Sequence, residues 1–131
     1  MPHLTVEYSA NLETDVDMAA FCAAMRDAMV ATGIFPLGGI RVRAFPCHTY
    51  VIADGTPEFA YLNMICRVGH GRDQDTRSTA ADQMYSAAED FLKPLLGDRP
   101  FALSLDFAEL DPVTSLKRFN TIHAALKARD A

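Results

Sequence analysis

The feature that most constrains this chain is a pattern that occurs twice: an alternating apolar segment, a helical stripe, and a second alternating segment. In the first copy, Leu4, Val6 and Tyr8 alternate with His3, Thr5 and Glu7, the period of a strand buried on one side. From Thr14 to Thr32 the period changes. Met18, Phe21, Cys22, Met25, Ala28, Met29 and Thr32 then share one helical face. Thr14, with Asp17 three residues on, predicts the N-terminal cap, and Asp15 and Asp17 suit the positive end of the helix dipole. Gly33 and Pro36 stop the helix. In the strand that follows, Ile40 and Val42 face away from Arg41 and Arg43.

The second copy opens after the turn signal Asp54-Gly55-Thr56-Pro57. Ala60, Leu62, Met64, Cys66 and Val68 form the apolar side of a third strand, and a helix is predicted from about Asp73 to Leu96. Pro94, near its end, costs a hydrogen bond or kinks the last turn. Phe101, Leu103, Leu105 and Phe107 mark a fourth strand, and the tail from Asp111 to Ala131 reads as polar. No linker divides the copies, so residues 1–131 read as one domain. Two strand–helix–strand units pair their strands in parallel. The expected fold class is therefore α+β: two β-α-β units forming a four-stranded mixed sheet with both helices on one face. Thr5, Arg41, Arg43, Phe59, Tyr61, Asn63, Ile65, Ala102 and Ser104 fall on the other face, a mixture that fits an oligomer interface with sites along it.

Charge and cysteine usage narrow the chemistry. With 12 Lys+Arg against 17 Asp+Glu the net charge is −5, and an acidic surface argues against nucleic acid as a partner. No apolar run approaches the roughly 18 residues of a membrane span. Met1–Glu7 lacks the basic and apolar regions of a signal peptide, so a cytoplasmic location is expected. Cys22, Cys47 and Cys66 are odd in number and widely spaced, which predicts reduced thiols and no zinc site. Gly38-Gly39 and Gly69-His70-Gly71 match neither the P-loop nor the dinucleotide pattern. Chemistry here is expected from side chains or backbone ends, without metal or cofactor.

Pro2 has two readings. It can open an edge strand, where its missing N–H does no harm. Alternatively, loss of the initiator methionine turns its nitrogen into a secondary amine. An α-amino group titrates near 7.7–8.0, and burial or nearby cations lower that value toward neutrality. A rigid amine of that kind is suited to moving protons on carbon acids. Between Ile40 and Arg72 stand Arg41, Arg43, Arg67 and Arg72 against Asp54 and Glu58, so this stretch is +2 and the rest −7. A positive patch on an acidic chain points to an anionic ligand, and arginine is the residue expected on carboxylates. Arg72 also follows Gly69-His70-Gly71 at the start of a helix, beside free backbone N–H groups. His70 reads as a loop histidine.

Five segments resemble a known family: Pro2 to Ser9, Ala31 to Arg43, Ala53-Asp54-Gly55, Gly69-His70-Gly71-Arg72, and Ala102 to Asp106. They resemble the 5-carboxymethyl-2-hydroxymuconate delta-isomerases of the tautomerase superfamily, from Pro2 to about Lys127. The resemblance implies a homotrimer of two-unit β-α-β subunits and a cofactor-independent isomerase acting on a small anionic dienol in homoprotocatechuate meta-cleavage. It implies Pro2 as general base and acid, with Arg41 and Arg72 on the substrate's carboxylates. A tautomerase for another 2-hydroxymuconate or enol, and a non-catalytic binding protein, use the same scaffold.

Overall fold

The computed structural model describes residues 1–130. Strand β1 (His3–Ser9) pairs in parallel with β2 (Arg41–Cys47) and antiparallel with β3 (Ala60–Val68); β3 pairs in parallel with β4 (Phe101–Glu109). The sheet order is β2-β1-β3-β4. Helices α1 (Met18–Ala31) and α2 (Gln74–Leu96) each link a parallel pair, and α3 (Ile122–Arg129) follows β4. This is the expected mixed sheet, with one helix more than expected.

Alternation in the central strands decides which face is covered. Leu4, Val6 and Tyr8 of β1 and Leu62, Met64, Cys66 and Val68 of β3 are buried, while the residues between them are half-buried or exposed. Onto that face pack Phe21, Met25 and Met29 of α1 and Met84, Ala88 and Leu92 of α2. The Phe21 and Phe91 rings meet edge to face at 5.4 Å and tie the two helices together. On the other face Thr5, Arg43, Tyr61, Asn63 and Ile65 are half-buried, and Ala102 and Ser104 are exposed.

The expected start of the first helix needs correction. Ala10–Leu12 form a short 3-10 turn, and Leu12 and Val16 are buried, so the chain folds back on the core before α1 begins at Met18. Asp17 is itself the cap and accepts the Ala20 N–H at 3.1 Å. Thr14 instead donates its hydroxyl to the Asn11 carbonyl at 3.4 Å, and Asp15 pairs with Arg99 at 2.5 Å. The tail is also more ordered than its composition suggests, since it carries α3.

Candidate active site

Strand direction assembles the site. Because β1 and β2 run one way and β3 and β4 the other, four chain points share one edge of the sheet. These are the starts of β1 and β2 and the ends of β3 and β4, with His3 opposite both Arg41 and Arg67. Pro2, Arg41, the turn Gly69–Arg72 and the tail after Glu109 therefore meet there.

Pro2 is buried, and its carbonyl accepts the Arg41 N–H at 3.0 Å. Gly39 permits this packing, because a Cβ there would lie 3.3 Å from Pro2 Cδ. The Arg41 guanidinium donates through Nη1 to the carbonyls of Gly38 at 2.9 Å and Ile40 at 3.1 Å. Its Nη2 reaches the Met1 sulfur at 3.7 Å, which Asn120 Nδ2 also reaches at 3.2 Å. Arg72 donates to the Ile34 carbonyl at 2.8 Å and the Gly69 carbonyl at 3.4 Å, and lies 5.0 Å above the Phe35 ring.

Over the chain terminus opens a cavity of about 380 Å³, walled by Met1, Pro36, Gly39, Lys117, Asn120 and His123. Lys117 shares this wall with Met1, and its charge acts on the Met1 amine. None of the ion pairs among the described residues involves Arg41, Arg72 or Lys117, so their charges are not neutralised by a carboxylate. The amine responds accordingly: burial first, then Lys117, then Arg72 and Arg41, hold it below its ordinary 8.0. With Met1 in place the Pro2 nitrogen is an amide.

The structure thus brings Pro2, Arg41 and Arg72 to one edge, with Arg43 and Arg67 next to them around His3. Arg43 Nη1 lies 3.1 Å from His3 Nδ1 on the open sheet face, and Arg67 is exposed beside it. His70 is exposed in the turn before Arg72. Lys117, Asn120 and His123 were not legible as site residues. The one available signal was topological: a parallel fourth strand must deliver the tail to this edge. Among the described residues no group of three or more His, Cys, Asp or Glu could hold a metal ion, and no helix is long and apolar enough to cross a membrane.

A duplicated β-α-β frame with free cations around its amino terminus defines a tautomerase-type fold. At the level of fold alone, the chain matches a macrophage migration inhibitory factor-like protein from Entamoeba histolytica (TM-score 0.59, 11% identity, covering 91% of this chain and 96% of that one). It likewise matches a fused 4-OT described as a symmetric trimer (TM-score 0.63, 13% identity, 93% and 98%). The chain belongs to the 5-carboxymethyl-2-hydroxymuconate isomerase family, which matches residues 2–126. It is 35% identical over 127 residues to the 5-carboxymethyl-2-hydroxymuconate Delta-isomerase of Escherichia coli, covering 97% of this chain and all of that one. A crystal structure of a 5-carboxymethyl-2-hydroxymuconate delta-isomerase superposes with a TM-score of 0.88 at 33% identity over 96% of this chain and 93% of that one. A 5-carboxymethyl-2-hydroxymuconate isomerase from Deinococcus radiodurans R1 superposes at 0.87 with 29% identity over 95% and 93%. The protein is accordingly an isomerase, of the kind that moves C=C bonds.

Proposed function

We propose that this isomerase converts 5-carboxymethyl-2-hydroxymuconate to its 2-oxo-3-ene isomer in the meta-cleavage breakdown of homoprotocatechuate. Pro2, freed by loss of Met1, is the base and acid, and a cytoplasmic homotrimer is the working form. The observation that carries the reading is the convergence of Arg41, Arg72 and Lys117, none paired to a carboxylate among the described residues, on the chain terminus. Removal of Met1 also takes away the sulfur that lies between Arg41 Nη2 and Asn120 Nδ2. Two donors then face the space beside the freed amine.

The chemistry follows from that placement. The neutral Pro2 amine takes the proton of the 2-hydroxyl, and the ammonium so formed returns it to a carbon along the conjugated chain. The dienolate between these steps carries delocalised negative charge, which Arg41 and Arg72 stabilise while they hold carboxylates. Arginine stays protonated throughout, so it supplies charge without competing for the proton. One base serving both ends of the conjugated system needs only to be held close to each. The half-buried, mixed open face of the sheet supports a trimer packed through that surface.

The test pairs an intact mass with an absorbance assay of the dienol. Protein one methionine lighter than encoded should turn over 5-carboxymethyl-2-hydroxymuconate, and Pro2→Ala should lose about 10²- to 10⁴-fold in kcat. Processed protein that leaves the dienol unchanged would sink the activity. Full turnover in Pro2→Ala would remove the proline from it.

A further inference from the structure

The cavity over the terminus has a neighbour. A second hollow of about 210 Å³ lies against the end of β3, walled by Gly69, His70, Leu110, Pro112, Ser115 and Lys117. Lys117 belongs to both walls, and is the one residue common to the two. Ligand-sized sites run from roughly 300 to 1,000 Å³. The larger cavity is therefore of a size for the body of a small dienol, and the smaller one for a side arm.

Two cations border the smaller hollow at Gly69. A Cβ built on Gly69 would sit 3.9 Å from Arg72 Nη1 and equally 3.9 Å from Lys117 Nζ, so the missing side chain leaves a gap flanked by both charges. Arg72 is fixed there by the carbonyls of Ile34 and Gly69. Lys117 is exposed and has no carboxylate partner among the described residues. Arg118 lines the larger cavity as well, but its charge is not among those acting on the terminus.

The substrate assigned above carries three carboxylates: two end the muconate chain and one ends the carboxymethyl arm. Arg41 and Arg72 account for two. We infer that Lys117 is a specificity-determining residue, holding the carboxylate of the carboxymethyl arm in the side hollow beside Gly69. The inference rests on the function proposed for the terminus and adds to it the discrimination between tricarboxylate and dicarboxylate dienols. A lysine suits the role, because a compact ammonium on a flexible stem can meet a carboxylate on a mobile arm without the planar match that arginine requires.

The experiment measures kcat/KM for 5-carboxymethyl-2-hydroxymuconate and for 2-hydroxymuconate, which lacks the arm, in the processed full-length enzyme. The readout is the ratio of the two. Lys117→Gln should lower that ratio about 10- to 100-fold, the range for a hydrogen bond to a charged group. Lys117→Arg should restore most of it. Any influence of Lys117 on the charge of the Pro2 amine falls on both substrates alike and cancels in the ratio. Gly69→Val fills the gap by bulk rather than charge, on a backbone that tolerates a side chain, and should lower the ratio too. A ratio that stays within about twofold in both Lys117→Gln and Gly69→Val, with the parent enzyme active, overturns the role of Lys117 alone. A processed parent enzyme active on neither substrate overturns the function and this inference together.

Discussion

The carbonyl of Pro2 accepts the backbone N–H of Arg41 at 3.0 Å, so the first residue of the mature chain proposed here and the arginine proposed to hold its substrate are joined by a main-chain bond. The bond continues the β1–β2 ladder, in which His3 stands opposite Arg41. Their spacing is thus set by sheet geometry rather than by side-chain choice. Gly39 completes the arrangement by leaving room for the proline ring, and Gly38 supplies the carbonyl that anchors the guanidinium.

Replacement of Arg41 tests that anchoring. Its Nη1 is spent on two carbonyls, which leaves Nη2 for the sulfur of Met1, a residue of the cavity wall. Arg41→Gln should lower kcat/KM about 10- to 100-fold, the worth of one charge-assisted contact. Arg41→Lys should recover little, because an ammonium cannot bond both carbonyls and still present a second planar donor. Steady-state kinetics on the processed enzyme decides. Full recovery with lysine would mean that charge alone matters at this position.

The pH dependence of activity carries a sign that follows from the same edge. Burial and the charges of Lys117, Arg72 and Arg41 lower the terminal amine from 8.0. After loss of Met1, the buried Pro2 amine sits within the same ring of cations. The same burial and charges are expected to lower it too, so its neutral, basic form should be present above that lowered pKa and lost as pH falls through it. The acid limb of kcat/KM should fall below pH 8 and move upward in about 0.5 M salt, where the screening length shrinks to a few ångströms. A limb that ignores salt would assign the shift to burial alone.

Much of this fold was legible because burial and periodicity coincide. Leu4, Val6 and Tyr8, and Leu62, Met64, Cys66 and Val68, alternate without interruption in strands buried on one side. The start of α1 was not, because Thr14 with Asp17 three residues on matches a cap pattern, whereas Thr14 bonds the Asn11 carbonyl and Asp17 itself caps the helix. Helix α3 was hidden for a different reason. None of its residues is buried, so no apolar stripe announces it. It docks through contacts with the Leu37–Gly39 turn, His123 against Gly38 among them, and such contacts leave no period in the sequence. Pro2, Arg41 and Arg72 could be singled out by residue type and by resemblance, whereas Lys117 and Asn120 reach the site only through the direction of β4.

The corrected helix start predicts a contrast between two neighbouring caps. Asp17 accepts the Ala20 N–H, while Thr14 bonds only the Asn11 carbonyl. Asp17→Ala should cost about 1 kcal/mol of unfolding free energy. Thr14→Ala should stay within about 0.5 kcal/mol, as a surface change outside any cap. Urea unfolding of both variants distinguishes them, and the reverse order would place the first turn of α1 at Thr14.

His3 gives stability its own pH window. Burial first, then Arg43, Arg41, the terminal amine and Arg67, lower the imidazole from 6.5. Below 6.5 the unfolded chain takes up a proton that the folded chain resists, so folding weakens as pH falls through that range. Asp54 and Asp73 are lowered from 3.8 and act only in more acidic solution. Between about pH 7 and pH 5 the urea midpoint should therefore fall, and should fall less in His3→Gln. Equal slopes would show that the arginines around His3 are too well screened to matter.

The last prediction concerns what keeps α3 over the site. The ring of His123 occupies the place that a side chain on Gly38 would need, while the backbone there is of a kind that alanine adopts freely. Gly38→Ala is therefore a clash with one side chain and not a backbone strain. The imidazole must swing away, and α3 loses one of its contacts with the Leu37–Gly39 turn. Overpacking of this sort costs about 1 to 3 kcal/mol, with the low end expected because His123 is exposed and can move. Amide exchange in Ile122–Arg129 should quicken in Gly38→Ala. It should return toward the parent rate when His123→Ala is added, since the second change removes the clashing ring. Lys117 and Asn120 precede α3 on the same segment, so activity should track the exchange rate rather than global stability. Exchange unchanged in the single variant would show that α3 is held by contacts other than the one between Gly38 and His123.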